Sequence, residues 1–480
     1  MHCRSAIKTC ILAALSCGPL SSHAVAVKPP SLPRADPFDD QSFAAGDIIT
    51  RDVAVIGGGS SGTYSAITLR SMDKSVVVVE KAPRMGGHTS TYVDPETGVH
   101  VNYGVQAYYN ISVATDYFDL LGVPMGPFQF TPVTRVYADF KTGRNVSAPP
   151  SPGLDGYAEQ LHKYPYLEYS WNLPNPVPED LLLPFGEFLA KYGLEHVAYT
   201  IYISGPGYAG VLQQPTAHVF KMIDDSFINS NSGSAMMPLS GDNAEPYYRA
   251  RDILGSDVLL STTVVDSRRS PNGTGVRLVV QTGSGRKLIK ASKLLITIPP
   301  LLDNLLAAVA PFDLDGNERH LFSQWSYTNY FIMLVNKTGL PDGFQFANAV
   351  PSSAGTFGIP NHPGPYQITA TRVPGLFFVW YGSPRALSEA DVKADVAAII
   401  QRLRSTFNST VTTPPNFVEF RSHTPFKLVV SAQAIKDRFY DKLAALQGRR
   451  NTWYTGAAFI SHDASIIWHY THSLLQDMFA

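Results

Sequence analysis

The sequence predicts an α/β fold whose first unit is a strand, a tight glycine turn, a helix and a second strand. Residues 52–56 are an apolar run that ends in three consecutive glycines. A helical pattern follows over residues 61–71, and residues 75–80 form a second run rich in valine. Continuous apolar strands of this kind are typical of parallel sheets, which helices cover on both faces. We therefore expect a parallel sheet at the start of the folded chain.

The glycines of this turn have the spacing of a dinucleotide-binding fingerprint. They occur as Gly57-x-Gly59-x-x-Gly62 between the first strand and the helix. The first permits the tight turn, the second lets backbone approach a pyrophosphate, and the third lets helix and strand pack closely. Glu80 ends the second strand, where a carboxylate can accept hydrogen bonds from ribose hydroxyls. The pattern predicts a Rossmann-type unit that binds a dinucleotide at the N-terminus of the helix.

Length and composition indicate a globular protein of two or three compact units. The chain has 480 residues, of which 44% are hydrophobic and 16% are charged, and its formal net charge is -1. This balance argues against a nucleic acid or an anionic membrane surface as partner. No later stretch is long and apolar enough for an integral membrane span. We expect the partner to be a small-molecule substrate.

The first residues are typical of a secretory signal peptide. Two positive residues precede an apolar run over residues 9–20, and small residues suited to a cleavage site follow at 22–26. This layout predicts a signal peptide over residues 1–24. The next stretch, 25–46, is rich in Pro, Asp and Ala and is expected to be an extended arm. We therefore expect the mature protein to be secreted or to reside in the lumen of the secretory pathway.

Cysteines and glycosylation sequons agree with this leader. The only cysteines lie inside it, at Cys3, Cys10 and Cys17. The mature protein is therefore expected to have no disulfide, no thiolate nucleophile and no cysteine metal ligand. Five Asn-x-Ser/Thr sequons are candidate glycosylation sites on surface loops; they begin at Asn110, Asn145, Asn272, Asn336 and Asn408.

The segment after Glu80 favours FAD over NAD as the dinucleotide. It reads Lys81-Ala-Pro-Arg84-Met-Gly86-Gly87-His88-Thr89 and resembles the second FAD motif of the flavin amine oxidase superfamily. Residues 102–107, 263–265 and 454–456 resemble the superfamily segments beside the flavin ring, at the adenine and before the helix that faces the flavin pyrimidine. The fingerprint and this resemblance together imply an FAD cofactor and these binding residues: Gly57, Gly59, Ser61, Gly62, Glu80, Arg84, Gly86, Gly87, His88, Gln106, Val264 and Gly456.

Within that superfamily, the sequence most resembles the fungal beta-cyclopiazonate dehydrogenase family. The likeness is carried by residues 52–63, by Arg84-x-Gly-Gly-His-Thr89, and by Leu446-Gln-Gly448 followed by residues 451–456. The matching segments span residues 52–470 in the family order, with substrate insertions between them. The resemblance implies oxidation of a fungal secondary metabolite, sometimes with ring formation.

Several positions depart from the amine oxidase pattern. The arginine that usually follows the glycine pair is His88, and a second phosphate arginine is replaced by Ala82. The lysine that holds a water beside the flavin in many amine oxidases aligns with Asn329, and one tyrosine of the amine cage with Ile466. These departures argue against an ordinary amine oxidase.

His88 is the departure with a direct chemical consequence. A histidine has a reference pKa near ~6.5, so it can be neutral or charged in the working range. If His88 lies near the pyrophosphate or the ring, anionic neighbours should raise its pKa. On that hypothesis His88→Ala lowers flavin affinity or turnover, whereas His88→Arg retains the cofactor. The alternative is that the ring only packs beside the glycine pair.

The order of segments predicts a discontinuous FAD-binding domain interleaved with a substrate domain on a mixed β-sheet. The FAD-binding domain is expected to comprise residues 47–108, 235–300 and 445–480, and the substrate domain 109–234 and 301–444. Helices are predicted over residues 187–199 and 388–407, the second with a Ser-x-x-Asp capping box.

The catalytic base is not defined by any motif. Tyr108, next to the flavin-ring segment, and His469, on the last helix, are candidate catalytic residues. His469 and His472 share a helix face, but no third ligand lies at useful spacing, so we expect no metal site. Aromatic residues over 164–171 line either a substrate cavity or the core of the insertion.

Three functions remain open from the sequence. The first is a dehydrogenase or cyclase of a secondary metabolite. The second is a secreted amine or amino-acid oxidase that makes peroxide. The third is a flavin-dependent double-bond isomerase with no net oxidation. Stoichiometric peroxide would indicate the second, and an unchanged product mass the third.

Overall fold

A computed structural model describes residues 36–150, 153–270, 275–306, 312–353 and 355–480. The predicted signal peptide, the three cysteines, Asn272 and the first part of the predicted arm lie outside these ranges. The last part of that arm is not extended: it contains two short 3₁₀ turns, Asp40–Ser42 and Ala45–Asp47. Phe38 is buried there against Val279 and Leu288, which attaches the segment to a β-sheet.

The described residues form eighteen strands, most of them in two seven-stranded sheets. In chain order they are β1 (Ile48–Ile56), β2 (Val76–Val79), β3 (Thr91–Val93), β4 (His100–Asn102), β5 (Met125–Pro127), β6 (Thr134–Ala138), β7 (Met236–Pro238), β8 (Val258–Leu259), β9 (Thr263–Arg269), β10 (Val276–Thr282), β11 (Gly285–Ile296), β12 (Ser326–Asn336), β13 (Phe344–Asn348), β14 (Gly364–Ala370), β15 (Phe377–Ser383), β16 (Asn416–Ser422), β17 (Phe426–Val429) and β18 (Thr452–Tyr454).

Fifteen α-helices connect and cover these sheets in the described part of the chain. They are α1 (Ser60–Ser71), α2 (Ser112–Leu121), α3 (Asp155–Leu161), α4 (Glu179–Leu182), α5 (Phe185–Tyr192), α6 (Ala198–Ser204), α7 (Thr216–Phe220), α8 (Asp225–Asn229), α9 (Glu245–Leu254), α10 (Leu302–Leu306), α11 (Gly316–Phe322), α12 (Glu389–Thr406), α13 (Ala432–Lys436), α14 (Phe439–Ala444) and α15 (Ala464–Phe479).

The first sheet has the strand order β8-β2-β1-β11-β10-β9, with β18 beside β11. Strands β1, β2, β8, β11 and β18 are parallel to one another. Val53 and Val55 pack on one face with α1 and α15, while Ala54 and Ile56 pack on the other. Burial on both faces confirms the parallel sheet that the apolar runs predict. Since β1, β11 and β18 are parallel, their carboxyl ends meet at one edge, where ligands of such sheets bind.

The second sheet is mixed and has the order β16-β12-β15-β14-β13-β6, with β17 also paired to β12. All its pairs are antiparallel except β6 with β13. Side chains of β12 alternate between two cores: Phe331 and Met333 pack with α12, whereas Tyr330 and Ile332 face the opposite side. The mixed sheet agrees with the predicted fold class.

One of the two predicted helices differs in the structure. The predicted helix over residues 187–199 ends at Tyr192, because Gly193 adopts φ +64° and closes α5 in a left-handed cap. The chain resumes as a 3₁₀ turn and α6. In contrast, α12 matches its prediction, and the Ser388 side chain accepts a hydrogen bond from the Asp391 amide.

Candidate functional site

The turn between β1 and α1 has the glycine geometry that the fingerprint predicts. Gly57 adopts φ +105°, a conformation that favours glycine. A Cβ on Gly62 would lie 1.9 Å from the carbonyl oxygen of Gly57, so helix and strand are in direct contact. A Cβ on Gly59 would meet only the Cα of Gly87, at 3.7 Å. Gly62 is therefore required by the fold, whereas Gly59 borders open space at the N-terminus of α1.

That helix N-terminus can bind an anion. Its N-cap residue is Gly59, and no side chain caps the helix. The first turn of a helix leaves backbone N–H groups without helical partners, and these bind phosphate oxygens. Ser61, in the same turn, is buried, and its Oγ lies 3.4 Å from the position of a Cβ on Gly456. The end of β18 and the start of α1 therefore lie close together.

Glu80 lies beside the same turn. Its side chain is buried, and its two carboxylate oxygens accept hydrogen bonds from the amides of Gly58 (2.6 Å) and Ala82 (2.7 Å). The carboxylate is thereby held at the carboxyl end of β2, the position of a ribose-binding acid. Val264 lies nearby on β9, since the amide of Thr262 donates to the Glu80 carbonyl oxygen at 2.9 Å.

A second glycine loop faces the first. The amide of Gly86 donates to the Gly58 carbonyl oxygen at 2.8 Å, and a Cβ on Gly87 would lie 3.0 Å from the Cα of Gly59. Arg84 closes the loop on itself by donating to the carbonyl oxygens of Met85 (3.0 Å) and Gly87 (3.3 Å). Two loops therefore meet through their glycines, beside an uncapped helix and a buried carboxylate, which fits the pyrophosphate and ribose of FAD.

The segment expected beside the flavin ring, residues 102–107, packs against this loop. A Cβ on Gly104 would lie 2.0 Å from the carbonyl oxygen of His88, so the two segments are in backbone contact. His88 and Gln106 both line a cavity of about 660 Å³. Ala457 and Ala458, which follow Gly456, line the same cavity. The cavity therefore begins at the segments that the sequence places beside the flavin.

The other wall of the cavity is aromatic. Trp171 and Tyr440 stack with ring centroids 3.7 Å apart and planes 2° from parallel. Tyr208, Phe426 and Trp380 line the cavity with them. Tyr164, at the other end of the predicted aromatic cluster, is buried in the core. The cluster therefore serves both predicted roles, with Trp171 at the cavity and Tyr164 in the core.

Neither candidate catalytic residue lines this cavity. Tyr108 is fully buried, stacks on Trp468 and donates a hydrogen bond to the Asn243 carbonyl oxygen. His469 stacks on Tyr169, with ring centroids 4.0 Å apart. The first side chain belongs to the core between α2 and α15, and the second packs against Tyr169, so the lining of the cavity gives no support to a catalytic role for either.

Two positions of the amine oxidase comparison also lie away from the cavity. Asn329 is buried and lies opposite Ser383 in the sheet, whereas its neighbour Tyr330 lines the cavity. Alternation along β12 explains the difference, because successive side chains point to opposite faces. Ile466 is fully buried in a small apolar cluster with Ile460 and Ile467.

His88 faces the cavity, and the charges of the protein around it are positive. Its ring stacks on His423, and the positive charges of Arg84 and Lys81 act on it. The surrounding protein and these two cations lower the pKa of His88 to about 4. The expected rise concerns the pyrophosphate or flavin as neighbours and stays a prediction for the FAD-bound enzyme. Within the protein alone, removal from bulk water disfavours the imidazolium, and the neighbouring charges are positive.

The cavity contains ionisable residues that sequence reasoning missed. Burial lowers the pKa of Lys427 to about 7 and the pKa of His462 well below its usual value. Burial raises the pKa of Asp463 to about 6, although the carboxylate accepts hydrogen bonds from two amides of α15. An aspartate directly before a helix is an N-cap signal, so Asp463 was detectable as a cap. No local pattern marks Lys427 as a cavity residue.

The described residues contain no group of three His, Cys, Asp or Glu side chains that could hold a metal ion. His472 instead lies 3.0 Å from the Tyr64 hydroxyl through Nδ1. Among the same residues, no helix has the length and apolar character that a membrane crossing needs.

Comparisons with known proteins agree with this geometry. The family model of an NAD(P)-binding Rossmann-like domain matches residues 55–121. A CLA-producing fatty acid isomerase from P. acnes has a TM-score of 0.69 at 19% identity, over 90% of this chain and 99% of that one. Putrescine oxidase bound to putrescine has a TM-score of 0.64 at 15% identity, over 90% of this chain and all of that one (100%). These similarities show a shared flavin amine oxidase-like fold.

Sequence relatives are closer. FAD-dependent oxidoreductase dbaF of Emericella nidulans is 38% identical over 449 residues, which cover 93% of this chain and 95% of that protein. Beta-cyclopiazonate dehydrogenase of Aspergillus oryzae is 35% identical over 441 residues, which cover 90% of this chain and 94% of that protein. The chain therefore belongs to the family of fungal FAD-dependent oxidoreductases that includes beta-cyclopiazonate dehydrogenase.

Proposed function

We propose that this FAD-dependent oxidoreductase is a secreted dehydrogenase of a planar small molecule from fungal secondary metabolism. The observation that carries the proposal is the cavity of about 660 Å³, which extends from the flavin-ring segment to the stacked rings of Trp171 and Tyr440. Aromatic walls favour flat, conjugated ligands, because offset stacking adds to the burial of apolar surface. A cavity of this volume is typical of small-molecule sites.

The protein's own part is to hold the cofactor and position the substrate. The α1 N-terminus and the two glycine loops would hold the pyrophosphate, and Glu80 the ribose. When bound, the flavin accepts a hydride from the substrate. The aromatic wall would orient the substrate carbon that loses this hydride.

A dehydrogenation removes a hydride and a proton from the substrate. Besides the flavin that takes the hydride, the site therefore needs a group that takes the proton. Asp463 lines the cavity, and its Oδ1 accepts hydrogen bonds from the amides of Ser465 and Ile466 at the start of α15. Because its pKa is raised to about 6, the carboxylate is ionised at neutral pH and is a stronger base than an exposed aspartate. We assign it the role of proton acceptor. Where the oxidised substrate carries an internal nucleophile, attack on the electron-poor carbon would close a ring.

Secretion is supported by the predicted leader together with the positions of the sequons. Asn110, Asn145 and Asn408 are exposed, as glycan attachment requires. Expression of the full chain in a fungal host, followed by glycosidase treatment of protein from the medium, tests this part. We expect the protein in the medium and a lower mass after treatment. Retention in the cytosol with an intact N-terminus would contradict secretion.

The activity is tested by comparing metabolites of a deletion strain and its parent. We expect the deletion strain to accumulate one compound, and the purified holoenzyme to convert it to a product lighter by H₂. An unchanged product mass would indicate an isomerase instead. Oxidative deamination, with release of ammonia and stoichiometric peroxide, would indicate an amine oxidase.

A further inference from the structure

Lys427 is a buried lysine at the wall of the cavity. It is the second residue of β17, its side chain is buried, and it lines the cavity together with Phe426. Its Nζ lies 4.6 Å from the ring centroid of Tyr208. Gly207 makes room for it, since a Cβ there would lie 3.0 Å from Cε of Lys427. The ammonium is thus held in a fixed place by packing.

The Lys427 ammonium has no anionic or hydrogen-bonding partner in the described part of the chain. The other lysine of the cavity, Lys221, does have hydrogen-bond acceptors. Its ammonium donates to the carbonyl oxygens of Glu168 and Ser170, both at 3.3 Å, and also to that of Leu167. Lys427 has only the ring faces of Tyr208 and Phe426. A buried ammonium without an acceptor is costly, so an acceptor from a ligand would stabilise it strongly.

The groups that face Lys427 do not supply a negative charge. They are the rings of Tyr208 and Phe426 and, across from β17, the imidazole of His462 before α15. Phe426 also contacts His88 and His423, which stack on each other. This end of the cavity is therefore neutral to positive. Of its acidic groups, Asp224 acts electrostatically on Lys221 and is itself influenced by Asp463, and neither of the two acids acts on Lys427.

We propose that Lys427 binds an acidic oxygen of the substrate, which makes the substrate class planar organic acids: carboxylates, enolates or phenolates. The inference rests on the proposed function, because it assigns the substrate of the same cavity. Pairing the ammonium with an oxygen anion would satisfy both groups away from water. The stacked aromatic wall would hold the conjugated part of the same molecule.

The test measures binding to the FAD-loaded enzyme by calorimetry, with benzoate as the acidic probe and benzamide as its uncharged counterpart. At pH ~6, where both probe and ammonium are charged, we expect benzoate to bind more tightly than benzamide. Lys427→Met should weaken benzoate binding by roughly 10-fold or more and leave benzamide binding unchanged. Lys427→Arg should keep most of the preference. Because burial lowers the pKa of Lys427 to about 7, the preference in the unaltered enzyme should shrink as the pH rises to ~9.

The wild-type pH series keeps the inference testable even if Lys427→Met does not fold. Equal affinity for the two probes at every pH would overturn it. So would a Lys427→Met enzyme that loses flavin occupancy but keeps its preference for benzoate, because the ammonium would then serve the cofactor. Failure of the proposed dehydrogenase activity is a separate result, since it is measured as a product mass and not as probe binding.

Discussion

The imidazole rings of His88 and His423 stack with centroids 4.2 Å apart and planes 5° from parallel. His88 comes from the second glycine loop, and His423 from the segment before β17. The stack therefore joins the candidate cofactor loop to the substrate side of the cavity. Burial and nearby cations lower the pKa of both rings, that of His88 to about 4. Both rings are consequently neutral near pH ~7.

The first prediction follows from that neutral stack. His88→Phe keeps an aromatic ring against His423 but cannot take up a proton at this position. Because the His88 ring is already neutral from pH ~6 to ~8, the FAD affinity of this variant should stay close to that of the wild type over that range. His88→Ala removes the stack and should weaken FAD binding. Flavin fluorescence during reconstitution of the apoprotein measures both. Tighter FAD binding by His88→Arg than by His88→Phe would show that a positive charge is needed there, as the sequence-based hypothesis holds.

Substitutions at two of the three fingerprint glycines, Gly59 and Gly62, should impair the protein in different ways. Gly62→Ala would place a Cβ 1.9 Å from the Gly57 carbonyl oxygen, so it should prevent α1 from packing on β1 and abolish folding. Gly59→Val meets little protein and should fold, but its side chain would enter the space for the pyrophosphate. Circular dichroism and visible absorbance near roughly 450 nm separate the two defects. A folded Gly59→Val protein with full flavin occupancy would contradict the assigned pyrophosphate site.

Glu80 should contribute to both loop structure and FAD binding. Glu80→Gln keeps the size of the side chain but replaces the charged carboxylate, which accepts hydrogen bonds from the amides of Gly58 and Ala82, with a neutral amide. Loss of charge-assisted hydrogen bonds to the ribose should weaken FAD binding by about 1.5–3 kcal/mol. Equilibrium titration of the apoprotein with FAD measures this. The same titration with riboflavin, which lacks the adenosine ribose, is the control, and its affinity should not change.

The sequence predicts the dinucleotide unit well because its signals are local. Residues 52–80 contain the apolar runs, glycine spacing and terminal carboxylate of one continuous unit, and the structure has β1, α1 and β2 there. Strand β11 is different: the sequence by itself indicates two short β runs, over residues 287–290 and 294–298. In the structure one strand runs from Gly285 to Ile296. Pairing with β1 carries it through the polar residues between, since Arg51 lies opposite Ala291 and Val53 opposite Lys293.

The cavity residues are less predictable because distant segments form them. Lys427 reaches the cavity through the pairing of β17 with β12, in which Phe426 lies opposite Thr328, 98 residues earlier. A short strand of four residues in a loop-rich region has no periodicity that would reveal this pairing. The same reasoning applies to Tyr440, whose contact with Trp171 joins α14 to the loop before α4.

The last prediction concerns stability in acid. His218 is buried, and burial lowers its pKa to about 3. In the unfolded chain its pKa is near ~6.5, so between these values the unfolded state binds a proton that the folded state does not. Above pH ~6.5 the ring is neutral in both states, and His218 does not lower the free energy of unfolding. Below that pH the free energy of unfolding falls by up to about 1.4 kcal/mol per pH unit.

A pair of variants isolates this effect. His218 Nε2 lies 2.8 Å from the Tyr440 hydroxyl, so His218→Phe and Tyr440→Phe lose the same hydrogen bond, but only the first loses the titrating ring. Urea unfolding at several values between pH ~4.5 and ~6.5 should show a smaller pH slope for His218→Phe and the wild-type slope for Tyr440→Phe. Because Asp224 and the other histidines are common to both variants, their titrations cancel in the comparison. Equal slopes in the two variants would show that His218 takes up its proton without unfolding, and that the ring is not held neutral by burial.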